Sequence, residues 1–455
     1  MDYIYSKNIS VEERAGVVVC GGGVAGVAAA ICASRNGADT VLIEKYGNVG
    51  GCMTLGLVGP FMTSYALYEE KQAVKGLFDE IVTRAEQRGG AIHPGKIQTG
   101  LPYASYGVRG HAHVCPFDPE VMKSLLLEML VEAGVKVRLY TTVTDTICEN
   151  GRVTGTVTIV KEGFKIYRGD VLIDCTGDGD LFKMAGAEYE IGREGDGLTQ
   201  PVTIFLRIAG VDDEAVDHYM KKHPENYGRP FASILKETRE KGDCPVMRDR
   251  IGAYKMLAPG EWRINTTRII KKDSLSSMGL TEAELEGRIQ VDAIMDWFKR
   301  YLPGFDKIRL ISTGIAGVHE SRRLVGAYTY TLEDMQSARH FEDVIALASY
   351  PMDIHSPDGL GGGILYREEI VPPNLYEIPF GILVPKEIEG LLVAGRCVSA
   401  THEALGAIRV MPPSIAMGQA AGTAAAIAVK DGILPRNVPI KKLQALLLAQ
   451  DVVLS

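Results

Sequence analysis

Three glycines, Gly21, Gly23 and Gly26, have the spacing and the setting of a turn that binds a diphosphate group. An apolar run typical of a buried parallel strand leads into them, and a helix-forming, alanine-rich run follows. In such a turn the first glycine allows the sharp reversal, the second lets the diphosphate approach the backbone, and the third lets helix and strand pack closely. The helix N-terminus supplies free N–H groups and a favourable dipole. We therefore predict that this turn, including Val24 and Ala25, binds a dinucleotide.

An acidic residue at the end of the next predicted strand strengthens this prediction. Glu44 closes the strand at 40–44 and lies 18 residues after Gly26. A carboxylate at that place accepts hydrogen bonds from the hydroxyls of a ribose. The alternative for Glu44 is a solvated strand end. The combination of strand, glycine turn, helix and acid favours dinucleotide binding over a chance loop.

Three segments resemble the FAD-contacting parts of flavoproteins of the glutathione reductase type. The N-terminal one reads VVVCGGGVAGVAAAICASRNGADTVLIEKYGNVGG, and its Gly50-Gly51 pair follows the glutamate as in those proteins. VLIDCTGDGD and GLLVAGRCVSATHEALGAIRVMPPSIAMGQAAGTAAAIA are similar to the second and the C-terminal FAD-proximal segments. The resemblance implies FAD rather than NAD. It implies cofactor contacts from Lys45, Gly50, Gly51, Cys52, Thr54, Val143, Thr176, Gly177, Asp178, Gly395, Arg396 and Pro413.

Three further stretches are similar to signatures of the family named FAD-dependent oxidoreductases. They read STGIAGVHESRRLVGAYTYTLEDM, FEDVIALASYPMDIHSP and YEIPFGILVPKEIEGLLVAGRCVSATHEALGAIRVMP. With them the resemblance runs from about residue 15 to residue 450. It implies an α/β fold with a Rossmann-type FAD-binding domain, split in sequence around an inserted α+β substrate domain. It names no substrate.

The run His319-Glu320-Ser321-Arg322-Arg323 follows an apolar strand and carries charges of both signs. In a functional interpretation Arg322 holds a substrate carboxylate or neutralises charge near the flavin. In a structural interpretation Glu320 and the arginines form ion pairs between domains. The sequence favours neither interpretation over the other.

Asp353 and His355 lie two residues apart on an irregular segment that leads into a glycine-rich loop, residues 359–363. Histidine titrates near neutral pH and, when a carboxylate orients it, is a good general acid or base. A purely structural role in tying down the loop is the alternative. We predict that His355 is a catalytic residue.

His402 and Arg409 lie between the predicted flavin-approaching strand and the last helix. This position brackets them between two elements that the resemblance brings to the flavin. His402 is our second candidate for moving a proton, and Arg409 our second candidate for anchoring a substrate or the edge of the ring.

The remaining polar and thiol groups give weaker predictions. His111, His113 and Cys115 are close in sequence, but no further ligand pattern accompanies them, so we expect no metal site. Cys52 follows the Gly50-Gly51 turn and should lie near the flavin. A redox role or a covalent flavin link is conceivable for it, but without a nearby partner cysteine a packed bystander is favoured.

These residues need a large scaffold, and the pattern of the chain predicts one. Strand-into-glycine-turn patterns occur near both ends, whereas glycine becomes rarer in the middle of the chain. The predicted division is a first part of the FAD-binding domain at 15–200, a substrate domain at 201–380, a return segment at 381–435 and a helical tail at 436–455.

Composition excludes several classes of protein. The chain has 455 residues, a hydrophobic fraction of 46% and a net charge of −8, which fit a globular protein and argue against nucleic acid as a partner. The eight cysteines show no closely spaced pair and no disulfide framework. The N-terminus has no targeting pattern and no run suits a membrane span. We therefore expect a cytoplasmic protein, with a homo-oligomer as an open alternative.

The predicted function is hydride transfer between a small organic substrate and N5 of FAD, with a side chain moving the accompanying proton. The reaction is dehydrogenation or the reduction of an alkene or ketone, and the electron acceptor or donor is unknown. Two alternatives stay open: an FAD-binding subunit that passes electrons within a larger complex, and a flavin monooxygenase. No second glycine motif for a nicotinamide cofactor is present.

Overall fold

The computed structural model describes residues 6–107, 111–359 and 373–455. The strands are β1 (Val11–Cys20), β2 (Thr40–Ile43), β3 (Lys136–Arg138), β4 (Thr142–Glu149), β5 (Arg152–Val160), β6 (Gly163–Asp174), β7 (Tyr189–Ile191), β8 (Leu206–Ala209), β9 (Gly252–Lys255), β10 (Trp262–Asn265), β11 (Arg309–Thr313), β12 (Arg322–Leu324), β13 (Val344–Ala348), β14 (Tyr376–Pro379) and β15 (Leu391–Val393). The helices are α1 (Val24–Arg35), α2 (Leu77–Gln87), α3 (Pro119–Glu132), α4 (Asp180–Met184), α5 (Asp213–Lys222), α6 (Ala232–Glu240), α7 (Ser277–Tyr301), α8 (Leu332–Gln336), α9 (His402–Ile408), α10 (Met411–Asp431) and α11 (Ile440–Ala449).

The main sheet has seven strands in the order β3-β2-β1-β6-β5-β4, with β15 also pairing with β6. Strands β3, β2, β1, β6 and β15 run parallel to one another, whereas β4 and β5 add an antiparallel ribbon beside β6. The strands β1, β2 and β15 end in runs of buried apolar residues, as expected where helices cover both faces of a parallel sheet. The predicted α/β class is confirmed.

Helices α1 and α10 pack against each other with almost no space between their backbones. A Cβ atom at Gly418 would overlap the carbonyl oxygen of Ala25, and one at Gly422 would overlap that of Ala29. Small residues on both helices therefore permit this contact. It joins a helix near the start of the chain to one near its end.

A second hydrophobic core surrounds a four-stranded antiparallel sheet, in the order β11-β8-β10-β9, and the long helix α7. Trp262, Trp297 and Phe305 are buried in it. Residues 324–380, which the sequence analysis assigned to the substrate domain, contribute side chains to the larger core around the main sheet. We therefore propose that the inserted module is smaller than the predicted 201–380 and ends near residue 318.

In the described ranges, every helix is too short or too polar to cross a membrane.

Candidate active site

The carboxyl ends of four parallel strands meet at one edge of the main sheet. Cys20, the last residue of β1, pairs with Ile43 on one side and Asp174 on the other, and Asp174 also pairs with Val393 of β15. Each strand is followed by one of the turns that the sequence singled out. In open α/β sheets a ligand binds in the crevice outside such strand ends.

The glycines of the first turn differ in what surrounds them. Gly21 has φ +100°, and a Cβ at Gly26 would overlap the carbonyl oxygen of Gly21, so both are required by the fold. Gly23 has an ordinary φ of −65° and is the N-cap of α1, without a side-chain cap. A Cβ there would meet no described atom within 4 Å. The space beside Gly23 is therefore left for something other than this chain, which fits a diphosphate on the helix N-terminus.

Glu44 is held in place by backbone donors and is 7% exposed. Gly22 donates to one carboxylate oxygen (N···O 2.6 Å) and Tyr46 to the other (2.8 Å). Burial raises the pKa of Glu44 above its usual range. Each oxygen keeps a second lone pair, so the carboxylate can still accept from a ribose.

A second glycine turn lies against the first. Gly50 N donates to the carbonyl of Gly22 (2.7 Å), and a Cβ at Gly51 would lie 3.0 Å from Cα of Gly23. Next to it, Cys52 is exposed, yet the surrounding protein desolvates its thiol and raises its pKa. That combination is expected of a side chain on the wall of a deep crevice. Thr54 donates to the carbonyl of Val49 (2.6 Å) and fixes the turn.

The turn after β6 is fixed by two arginines. Arg396 donates from Nε to the carbonyl of Gly177 (2.9 Å) and from Nη2 to Asp178 (2.5 Å). Arg322 donates to the carbonyl of Asp178 (3.0 Å) and to Asp180 (2.9 Å). Arg322 thus contacts the predicted cofactor segment itself, which suits a residue that positions this turn.

The carboxylate of Asp174 also holds the turn after β6 in place. It is fully buried and accepts from the backbone N (3.0 Å) and the hydroxyl (2.8 Å) of Thr176 and from the backbone N of Phe182 (2.9 Å). Burial raises the pKa of Asp174 to about 6.

The other predicted cofactor residues lie along the same edge or next to it. Val143 is half-buried at the start of β4, close to Thr141, whose N donates to the carbonyl of Glu44 (2.9 Å). Lys45 is exposed and lies over the ring of Tyr46. Gly395 lies two residues after the end of β15, and Pro413 is in the first turn of α10.

His402 is the first residue of α9 and is held by a buried carboxylate. One of its ring nitrogens, Nδ1, lies 2.8 Å from a carboxylate oxygen of Glu320, which is fully buried. Glu320 also accepts from Nη1 of Arg323 and from the backbone N of Gln200 (3.2 Å). Arg323 in turn donates to the carbonyl of Ala400 (2.9 Å), just before α9. The ion pair within the 319–323 run therefore orients a candidate catalytic histidine.

His355 is buried among positive charges instead. It lies 3.2 Å from Arg268, its ring packs edge-on against that of His319 at 4.6 Å, and Asp353 is 3.6 Å away. Burial, assisted by nearby arginines, holds the pKa of His355 well below its usual range. His355 is thus a neutral imidazole over the physiological pH range. Of the predicted loop 359–363, residues 360–363 lie outside the described ranges.

Arg409 and Gln200 connect the two histidine sites. Arg409 donates to Oε1 of Gln200 (3.3 Å) and to the carbonyl of Asp353 (2.9 Å), while Gln200 N reaches Glu320. The structure therefore brings together three of the four predicted catalytic residues, His355, His402 and Arg409. Arg322 lies apart, at the turn after β6.

His111, His113 and Cys115 do not converge. His111 contacts the carbonyl of Ala104 (3.2 Å), whereas His113 contacts that of Pro94 (3.1 Å). Over the described ranges, no group of three possible metal ligands is present.

Sequence reasoning missed the residues that build the surroundings of His355. These residues are Gln200, Arg248, Arg250 and Arg268. The one signal that could have found them is the placement of arginines directly beside predicted apolar strands, in MRDRIGAYK and WRINTTRII.

Comparison with known proteins agrees with this geometry. The sequence profile of the family described as FAD dependent oxidoreductase matches residues 16–447. A search of curated proteins found no match.

Several solved structures are similar in fold. A geranylgeranyl bacteriochlorophyll reductase-like protein from Thermoplasma acidophilum is 15% identical, with a TM-score of 0.50 over 95% of this chain and 83% of that one. The p-nitrophenol 4-monooxygenase of Pseudomonas putida is 13% identical, with a TM-score of 0.46 over 93% and 81%. A myxobacterial chondrochloren halogenase is also 13% identical, with a TM-score of 0.46 over 96% and 78%.

Proposed function

The chain belongs to the family of FAD-dependent oxidoreductases, and we propose that it transfers a hydride between a small organic substrate and N5 of the flavin while His402 moves the accompanying proton. It is thus an enzyme whose cofactor is FAD. Bound FAD supplies the site that accepts or donates the electron pair. The roles of individual residues are our proposal.

The residues at the strand ends fit FAD. The diphosphate would occupy the open space beside Gly23, at the N-terminus of α1, and the ribose would bind Glu44. The turns at Gly51 and Gly177 would close the crevice on either side. Cys52 would form part of its wall without reacting, since a thiol with a raised pKa holds little thiolate.

The pairing of His402 with Glu320 is the observation that carries the proposal. Glu320 accepts from Nδ1–H, so the basic lone pair of the ring is on Nε2. The ion pair with Arg323 fixes the carboxylate, and the carboxylate fixes the ring. A histidine oriented in this way can take a proton from a substrate hydroxyl or return one to a substrate carbon.

His402 suits this task better than His355. Its ring nitrogen Nδ1 faces a buried carboxylate that fixes its orientation, whereas the arginines around His355 oppose protonation of that ring. We propose that His355 helps to shape the substrate pocket. Arg322 positions the turn after β6 in this proposal, and Arg409 contacts the substrate.

Anaerobic stopped-flow reduction of the flavin tests the role of His402. We expect His402→Ala to keep its FAD and its fold but to slow reduction by substrate at least about 100-fold, the usual effect of removing a positioned acid–base group. His402→Gln serves as a second variant that keeps the polarity of the site.

The control is His340→Ala, because His340 is exposed and pairs with Glu377 at the surface. It should reduce at the wild-type rate. Unchanged reduction in both His402 variants would contradict the proposal. Incorporation of oxygen from O2 into the product would favour the monooxygenase alternative, and reduction only by a partner protein would favour the electron-transfer alternative.

A further inference from the structure

We infer that the substrate is a small carboxylate anion, which a cluster of arginines binds at the junction of the two cores. This inference rests on the proposed function, because it names the substrate class of the same site. The members of the arginine cluster are Arg248, Arg250, Arg268 and Arg409.

The strand pairing explains why these arginines meet. Gly252, at the start of β9, pairs with Asn265, at the end of β10. Arg250 precedes the first strand and Arg268 follows the second, so both emerge at the same end of the four-stranded sheet. Arg409 reaches this place from the C-terminal end of α9. The cluster thus combines residues from both cores.

Among the described residues, positive charge at the cluster exceeds negative charge even when Arg268 is left out. The guanidinium groups of Arg248, Arg250 and Arg409 face two carboxylates, Asp249 and Asp353. His319 and His355 add no charge, since burial and nearby positive groups hold the pKa of both well below the usual range. A guanidinium group removed from water is costly unless it is paired, and a bound anion would offset that cost.

The same excess charge shifts the other groups of the cluster. Burial and the neighbouring guanidinium groups of Arg250 and Arg268 lower the pKa of Arg248 to about 10. Burial alone would raise the pKa of Asp353, yet Arg409 and Arg250 outweigh it and hold that pKa below its usual range. Both shifts indicate a site that favours negative charge.

Several hydrogen-bond donors in the cluster have no acceptor among the described residues. Gln200 is 2% exposed, and its Nε2 has no partner in the described part of the chain; the same holds for Nε of Arg248 and of Arg409. The guanidinium group of Arg250 makes no hydrogen bond to any described residue. Oδ1 of Asp353 also lacks a partner there, so the site would further suit a hydroxyl or amino group on the anion. A carboxylate offers up to about four acceptor sites in one plane, which matches the fork of an arginine.

Gln200 places the anion next to the proposed chemistry. Its side chain accepts from Arg409 and from the backbone N of His355, while its own backbone N donates to Glu320, which orients His402. Gln200 therefore contacts both the arginine cluster and the pair formed by His402 and Glu320. A carboxylate bound by the cluster would hold the neighbouring carbon atoms close to His402.

Calorimetric titration of the FAD-loaded protein tests this inference, with malonate, succinate and glutarate as probes. Their neutral diamides are the matched ligands without charge. We expect at least one dicarboxylate to bind and to perturb the flavin absorbance spectrum, while its diamide does neither. The sharpest variant is Arg250→Gln, which removes a charge without breaking a described hydrogen bond. We expect it to weaken binding roughly 10- to 100-fold.

Arg84→Gln is the control, because Arg84 forms only surface ion pairs with Glu80 and Glu132; it should bind like wild type. Arg250→Lys, which keeps the charge, should lose less affinity than Arg250→Gln and covers the case in which the glutamine variant misfolds. Absence of dicarboxylate binding, tighter binding of inorganic phosphate, or equal affinity in Arg250→Gln would overturn the inference. Carboxylate binding without flavin reduction by any substrate would contradict the proposed function alone.

Discussion

The two halves of the site, the strand-end edge and the arginine cluster, are built to receive negative charge in different ways. At the edge, glycines and the N-terminus of α1 offer backbone N–H groups, and the space beside Gly23 is open. In the cluster, charged side chains from distant parts of the chain meet, with Arg248 and Arg268 buried and Arg250 and Arg409 partly buried. A backbone site carries no net charge and costs little when it is empty. A charged side-chain cluster is costly when it is empty and therefore gains more from its ligand.

The largest effect that would test this contrast is the loss of FAD from the edge. We expect Gly23→Val to be purified colourless but folded, because Gly23 has an ordinary φ and an added Cβ meets no described atom within 4 Å. The side chain would instead occupy the diphosphate position. Flavin absorbance and circular dichroism measure the two properties.

Gly26→Ala is the companion variant in the same turn. Its Cβ would overlap the carbonyl of Gly21, so it should lower the free energy of unfolding by at least about 1–3 kcal/mol. Full flavin content in Gly23→Val would contradict a diphosphate at this turn.

Among the charged side chains of the site, the buried carboxylate of Glu320 should contribute most to the free energy of unfolding. Glu320→Gln leaves Arg323 with an exposed carboxylate, Glu190 (3.2 Å), as its ion-pair partner and weakens the hold on His402. Breaking a buried pair in this way typically lowers the free energy of unfolding by about 3–5 kcal/mol. Urea denaturation measures it. The control is Glu403→Gln, which changes an exposed carboxylate next to His402 in the first turn of α9. It should change the free energy of unfolding by less than about 1 kcal/mol.

The pH dependence of stability should have opposite signs in the two halves. The pKa of Asp174 is raised to about 6 in the folded protein, against about 3.9 in an unfolded chain. The native state therefore binds more protons between these values, and its stability falls as pH rises through them. For His319 and His355 the folded pKa lies well below the ordinary one. Their contribution is complete above about pH 6.5 and is lost as pH falls.

Each contribution can be removed separately. The wild type should lose stability as the pH rises from about 4 to 6, and Asp174→Asn should not show this loss. The wild type should also lose stability as the pH falls below about 6.5, and His355→Gln should remove the contribution of His355 to that loss. Either change should reach at most about 1.4 kcal/mol per pH unit. Urea denaturation across this pH range measures both, and slopes of the same sign would contradict the contrast.

The smallest effect should come from Cys52, which lies at the edge but carries none of its binding groups. We expect Cys52→Ala to keep its full content of FAD, and denaturation of the wild type to release all of the flavin, because the raised pKa of this thiol opposes its reaction. Flavin that stays attached to the denatured wild-type chain would disprove this.

The sequence allowed the edge to be predicted because its signals are local. Gly21, Gly26 and Glu44 lie within a single βαβ unit, where residue spacing translates directly into geometry. The sequence also indicated that the chain rejoins the main sheet at β15, since an apolar run precedes a glycine turn there. Both predictions rest on conformational requirements of a short segment.

The arginine cluster could not be predicted in this way. Arg250 and Arg268 become neighbours only through the pairing of β9 with β10, and Arg409 joins them from the other core. No local pattern encodes such a meeting. The core that residues 324–380 join was equally hidden, because short strands such as β13 and β14 do not reveal by their sequence which core they will pack against.

The backbone contact between α1 and α10 has a consequence for biosynthesis. Ala25 leaves the ribosome early, whereas Gly418, which packs directly on it, is made hundreds of residues later, as is β15. Folding that depends on such distant contacts is slow, and a nascent chain cannot complete the crevice until α10 has emerged. FAD would therefore be acquired only after α10 has been made, and a chain truncated before α10 would have an incomplete crevice.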